Sequence, residues 1–272
     1  MNASVNPNLN QPDVPVAMLN ALRQARRLVI LTGAGMSAES GIPTFRDAMT
    51  GLWEKFDPMQ LATPEAWRAD RERVWAWYEW RRRMLLQSQP NRGHLAIPKL
   101  ANALKAATGH DVTIDIVTQN VDDLHERAGS TQVLHVHGSL FAPLCSGCRR
   151  PGQFGGPPPV EQVAKLPPPA CKHCGGVLRP GVVWFGENLP SEIWQHAESV
   201  VSDCDALLVV GTSGVVYPAA GLPLLAKQNR KWVGEINPNV SDLSNQVDLH
   251  WQTTAAQGLP ELLEALLNCP LE

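Results

Sequence analysis

Short runs of apolar, β-branched residues alternate along this chain with longer stretches whose apolar positions recur every three to four residues. Five runs, at 28–32, 112–118, 133–136, 206–210 and 232–236, each give way to glycine or polar residues. Apolar runs of this length, bounded in this way, predict strands buried on both faces. Between them the longer period predicts helices over 74–87, 95–107, 192–201, 219–228 and 259–267. Strands alternating with helices imply a parallel sheet covered on both faces, an α/β layered fold. In such sheets ligands bind beyond the carboxyl ends of the strands, and the polar motifs of this chain fall at that edge.

Two segments break the alternation. Residues 144–179 are rich in proline and glycine and carry four cysteines, which predicts an insertion stapled by metal. Residues 46–90 are helical and rich in tryptophan, and are expected to pack beside that insertion as a smaller lobe. Residues 1–15, rich in asparagine and proline, have neither a basic start nor an apolar stretch, so they read as a flexible arm and not as a signal peptide. The remainder, 16–272, is expected to form one large domain with these two insertions.

The 272 residues, 44% of them hydrophobic, can bury a large core. The net charge of −3 lacks the basic footprint of a protein whose main partner is nucleic acid. No apolar run approaches the roughly 20 residues that cross a bilayer. A soluble, cytoplasmic protein without a membrane partner is expected, and a monomer. Six cysteines are too few for a disulfide scaffold. Cys204 and Cys269 read as core and terminal filler, with a redox role as the alternative.

The other four form Cys145-x-x-Cys148 and Cys171-x-x-Cys174, with 22 residues (149–170) between the pairs. Each Cys-x-x-Cys turn aims two thiolates at one centre, and two turns complete a closed tetrahedral zinc site. A shell filled by protein leaves no place for a catalytic water, so one structural zinc is expected, and the chemistry lies elsewhere. His173, inside the second pair, is not needed as a ligand.

The first strand runs into Gly33-Ala34-Gly35-Met36-Ser37-Ala38, which fits G-x-G-x-x-G/A before a helix and would let backbone N–H groups approach a pyrophosphate. A plain tight turn explains it equally well, and the acidic residue of the usual dinucleotide fingerprint is missing. Gln119-Asn120-Val121-Asp122, Gly211-Thr212-Ser213 and Asn237 follow three other strands. Any one of these could be a turn or a cap; together they point to a ligand. His135-Val136-His137-Gly138-Ser139 puts two histidines on one face of a strand, and His137, at its end, is the best-placed general base. His94 and His125 have no comparable setting in the sequence.

The run 33–46 (Gly33 through Thr44-Phe45-Arg46), Thr118-Gln119-Asn120-Val121-Asp122, His137-Gly138-Ser139, both cysteine pairs, 180–187 and Gly211-Thr212-Ser213 together resemble the sirtuins, NAD-dependent protein lysine deacylases. The resemblance covers about residues 20–265, in order. It implies a Rossmann-like large domain and a small zinc-bearing helical lobe, with NAD and an acyl-lysine protein meeting in the cleft between them. It also implies that Gly33, Ala34, Gly35 and Ser37 line the pyrophosphate and that Phe45 and Arg46 belong to a cofactor loop. By the same resemblance Gln119, Asn120 and Asp122 surround nicotinamide and its ribose. Gly211, Thr212 and Ser213 contact phosphate and ribose, and Asn237 and Ala255 lie on the adenosine side. Val183, Phe185 and Gly186 match the stretch that pairs with substrate backbone. The implied reaction, with His137 as base and Asn120 beside it, gives free lysine, nicotinamide and O-acyl-ADP-ribose.

Within the helix expected at 74–87, Tyr78 and Arg81 stand at i and i+3 on one face. This Tyr-x-x-Arg pair resembles the sirtuin branch that removes succinyl, malonyl and glutaryl groups, and Ala48 is small where that branch makes room for a longer chain. On the bland alternative Arg81 opens a solvated Arg81-Arg82-Arg83 run and Tyr78 merely packs. Three further readings stand beside an acidic deacylase: a plain deacetylase, a protein ADP-ribosyltransferase using the same NAD site, and a non-catalytic NAD-binding module.

Overall fold

The computed structural model describes residues 14–42 and 57–268. Phe45, Arg46, Ala48, Cys269 and most of the N-terminal arm lie outside the described residues. Helix α1 (Val16–Gln24) leads into β1 (Arg27–Thr32), and the single turn α2 (Gly35–Ala38) follows. Next come α3 (Pro64–Ala69), α4 (Arg71–Gln87), α5 (Arg92–Thr108), β2 (Thr113–Thr118), α6 (Leu124–Arg127) and β3 (Val133–His135). The short strands β4 (Leu144–Cys145) and β5 (Leu178–Arg179) pair antiparallel, away from the main sheet. The chain then runs through α7 (Ser191–Asp203), β6 (Ala206–Val210), α8 (Leu222–Gln228), β7 (Trp232–Ile236), β8 (Leu249–Trp251) and α9 (Ala255–Leu267).

The main sheet is parallel, in the order β3-β2-β1-β6-β7-β8. Its central strands are buried on both faces because side chains alternate: Leu28, Ile30, Leu208 and Val210 enter one core with α1, α5 and α9, while Val29, Leu31, Leu207 and Val209 enter the other with α7 and α8. The chain leaves β1 toward β2 and β3 on one side and reaches β6, β7 and β8 on the other, so strand order reverses between β1 and β6. That reversal opens a crevice at the carboxyl ends of these two strands. A third core joins α3 and α4 to the cysteine segment through Trp67, Trp75, Trp77, Cys145, Cys171 and Trp184. It is the core of the smaller lobe.

Several elements differ from the sequence pattern for local reasons. Helix α4 starts earlier, at Arg71, because the Asp70 carboxylate accepts from the Arg73 N–H. Asn91 caps α5 in the same way, and Gly109, at φ 74°, ends it. Pro260 invites a late start for the last helix, yet α9 begins at Ala255 with that proline inside it. The helix expected over 219–228 begins as a 3₁₀ turn at Ala219–Gly221 before α8. Strands β4, β5 and β8, with two or three residues each, are too short to leave a periodic signal. No described helix is long and apolar enough to cross a membrane.

Candidate active site

The loops after β1 and β6 form the floor of the crevice by touching backbone to backbone. A Cβ on Gly35 would lie 2.7 Å from the Gly211 Cα, and one on Gly33 would lie 2.8 Å from the Gly211 carbonyl oxygen. Gly211 itself sits at φ 61°, which glycine adopts without strain. The N–H groups of Gly33 and Gly35 donate to the Val210 and Gly211 carbonyls, at 3.0 and 2.8 Å. The glycines therefore serve first to lock two strand ends together, a role that the phosphate-loop pattern does not convey. Gln119 Nε2 donates to Thr212 Oγ1 at 3.1 Å, and Asn237 Nδ2 to the Thr212 carbonyl at 2.8 Å, so four strand ends converge on Thr212. Behind Asn237, buried Glu235 accepts from Ser241 Oγ and Ser244 Oγ and fixes the following loop. Ala255, buried at the start of α9, joins this side, where the Ala256 N–H donates to Glu39.

Ser37, Asn120 and Asp122 meet in a buried network. Asn120 Nδ2 donates to Ser37 Oγ at 3.1 Å, and Ser37 Oγ donates to Asp122 Oδ2 at 3.0 Å. Burial raises the Asp122 carboxyl above its ordinary range, against the Leu124 N–H and the Ser37 hydroxyl. His94 Nε2 approaches Ser37 Oγ at 3.4 Å, and His125 Nε2 approaches Thr32 Oγ1 at 3.0 Å, with the two rings 5.0 Å apart. Thr32 in turn donates to Thr118 Oγ1, which also accepts the Asn120 N–H. Burial pushes His94 down to about 4 and His125 down to about 3, so both are neutral. The sequence offered no sign that these two histidines belong to the site.

His137 lies just past β3. Its Nδ1 is 3.1 Å from the Gln119 carbonyl, an oxygen that can only accept, so Nδ1 carries the proton and neutral His137 presents a basic Nε2. Burial lowers its pKa, partly offset by the Gln119 bond.

On α4, the Tyr78 ring stands edge-on to Trp77, with centroids 4.6 Å apart, and the Arg81 guanidinium lies 5.0 Å from the Trp77 centroid and 5.8 Å from that of Tyr78. Burial raises Tyr78 to about 12, so the phenol keeps its proton. Its oxygen accepts from Trp184 Nε1 at 3.1 Å. Burial lowers Arg81, and the opposing fields come from Tyr78 and Asp122; a guanidinium stays charged nonetheless. The triple-arginine run is not a solvated face. Arg82 is buried, grips Glu79 with two bonds of 2.9 and 2.6 Å, and covers Phe154 at 3.8 Å.

The segment 183–186 runs beside His137. The Val183 N–H donates to the His137 carbonyl at 2.8 Å, and the Phe185 N–H to that of Ala62 at 3.0 Å. Glu187 holds the turn, pairing with Arg179 and accepting the Trp184 N–H; Gly186 turns at φ 84°. Phe185 is 43% exposed.

The sulfurs of Cys145, Cys148, Cys171 and Cys174 all lie within 4.8 Å of one another. Zn–S bonds of about 2.3 Å place tetrahedral thiolates roughly 3.8 Å apart, so the donor set and its spacing suit zinc. The Gly147 and Cys148 N–H groups donate to Cys145 Sγ, and the His173 N–H to Cys171 Sγ. The His173 ring instead meets Arg150, at 3.3 Å, and takes no part in the cluster.

The Sir2 family pattern matches residues 33–218. This chain belongs to the Sir2 family. It is 49% identical to a Corynebacterium glutamicum protein named NAD-dependent protein deacylase, over 90% of this chain and 93% of that one. It is 50% identical to NAD-dependent protein deacylase 1 of Pseudomonas aeruginosa, over 91% and 97%. Its fold superposes on a Sir2 homologue solved with NAD at a TM-score of 0.84, with 41% identity and coverage of 95% and 96%. A Sir2 complex with a p53 peptide and NAD⁺ matches at 0.77, with 28% identity and coverage of 92% and 97%. The parallel sheet and the four-cysteine lobe are thus those of a Sir2 protein.

Proposed function

We propose that this Sir2 protein is an NAD-dependent protein-lysine deacylase that prefers succinyl, malonyl or glutaryl groups and removes acetyl more weakly. Family membership and relatives named as NAD-dependent deacylases, aligned over nine-tenths of the chain, support the reaction class. Gly33, Ala34, Gly35, Ser37, Gln119, Asn120, Asp122, Gly211, Thr212, Ser213, Asn237 and Ala255 would hold NAD, which the interlocked loops at the strand-order reversal fit. When bound, NAD supplies an activated ribose carbon for the acyl group. His137 Nε2 would take the proton of the attacking hydroxyl, and Asn120, tied to Ser37, would order the nicotinamide side. The four cysteines would hold one zinc, which keeps the small lobe folded. Acyl-lysine proteins are the proposed partners, bound along 183–186, and the cytoplasm is the proposed location.

The acidic preference rests on the Tyr78–Arg81 pair. A protonated phenol set edge-on to Trp77 and a guanidinium over the same ring would form a two-point donor for a carboxylate, and the Asp122 field felt by Arg81 supports a place near the residues proposed to hold NAD. A hydrogen bond to a charged group contributes on the order of 1.5–3 kcal/mol, so Arg81→Met should lower kcat/KM for a succinyl peptide about 10- to 100-fold. Deacetylation of the matched peptide should stay nearly unchanged, since an acetyl group has no carboxylate. Equal losses on both peptides would mean that the pair serves packing and that the enzyme is a plain deacetylase.

A further inference from the structure

His135 and His137 both tie β3 to the turn after β2, but in different ways. His137 spends one ring nitrogen on the Gln119 carbonyl. His135 spends both: Nδ1 lies 3.0 Å from the Asn120 carbonyl and Nε2 lies 2.7 Å from Glu126 Oε1. A carbonyl oxygen and a carboxylate oxygen can only accept, so each ring nitrogen must bring a proton. We infer that His135 is an imidazolium with Glu126 as its counter-ion, and that it is a positioning residue holding the Asn120 turn in its catalytic geometry. The role in catalysis rests on the deacylase reading; the charge does not.

Asn120 is then fastened at three points. Thr118 Oγ1 accepts its N–H, Ser37 Oγ accepts from its amide, and His135 donates to its carbonyl. The first two anchors are neutral, while the third is charge-assisted and reaches across to an edge strand of three residues. Burial disfavours the charged ring, but the Glu126 bond and field, the Asn120 carbonyl and Asp122 outweigh it and raise His135 above its ordinary range. Glu126 is held low in turn, against burial, mainly by His135. The charged and titratable groups acting on His135 are thus Glu126 and His125 from α6 and Asp122 from the turn after β2. On the other side of the strand Leu134 shares a core with Ile193 and Trp194 of α7.

The test pairs an imidazole spectrum with kinetics on the full-length, zinc-loaded enzyme. Nitrogen-15 NMR of the histidine rings through a pH titration should show the second His135 proton lost above the ordinary imidazole midpoint of about 6.5, and Glu126→Gln should move that loss to lower pH. His135→Leu, which cannot reach the carbonyl, should lower kcat on the order of 10-fold, the equivalent of one charge-assisted hydrogen bond. KM for NAD should change less than about twofold, and His135→Gln, whose side-chain amide can still donate, should recover part of the loss. A His135 that loses its second proton at or below that ordinary midpoint would overturn the inference. So would a normal kcat in His135→Leu, or His135→Gln no better than Leu. If His135→Leu does not fold, Glu126→Gln decides: an unmoved proton there contradicts the pairing. A wild-type enzyme without NAD-dependent turnover would instead refute the functional reading and leave the NMR result standing.

Discussion

His137 can act as a base because one carbonyl decides its tautomer: with Nδ1–H committed to Gln119, the lone pair is on Nε2. Removing a positioned acid or base usually costs about 10²–10⁴-fold, so His137→Ala should lose that much in kcat while binding NAD nearly as well in calorimetry. Because burial depresses this histidine below the ordinary value of about 6.5, the base is already neutral at pH 7. The acid limb of wild-type kcat should therefore lie below about pH 6.5, and turnover should fall only as pH drops through the depressed value. Near wild-type turnover in His137→Ala would refute the assignment. The place of His137 just past a strand was legible in the sequence because a histidine before a glycine at a strand end is a local pattern. His94 and His125 were not, since their partners Ser37 and Thr32 lie 57 and 93 residues away and only folding brings them together.

Elements were legible in proportion to their length and the independence of their signals. Strands such as β1, β6 and β7 carry apolar runs that define them, whereas Pro260 obscures the first turn of α9 and β8 is only three residues long. The cysteine pairs were the clearest signal, because each Cys-x-x-Cys turn fixes two ligands within four residues. Their sulfurs converge beside the tryptophan core of α3 and α4, so a zinc held there and that core would stabilise one another. Cys145→Ser, or removal of zinc by a chelator, should unfold the small lobe and abolish activity while β1, β2 and β6 stay protected in hydrogen exchange. Active protein without stoichiometric zinc would contradict a structural metal.

On the scale of the whole molecule, two neutral histidines sealed beneath the cleft couple stability to pH. Above about pH 6.5 they are uncharged in folded and unfolded chains alike and contribute no pH dependence. Below it only the unfolded chain takes up the protons, so stability falls by about 1.4 kcal/mol per pH unit for each, down to the folded values of about 4 for His94 and about 3 for His125. Urea unfolding between pH 6.5 and 4.5 should therefore show a shallower slope for His94→Gln than for wild type, whatever the offset between them; identical slopes would mean that His94 is charged in the fold. The account's central claim, that the cleft carries out NAD-dependent removal of acidic acyl groups, is tested most directly by mass spectrometry of one peptide bearing succinyl-lysine, incubated with the wild-type enzyme with and without NAD. The account predicts free lysine, nicotinamide and O-succinyl-ADP-ribose in equal amounts, and only when NAD is present. Intact peptide in both reactions, or ADP-ribose attached to protein in place of the acyl-ADP-ribose, would contradict it.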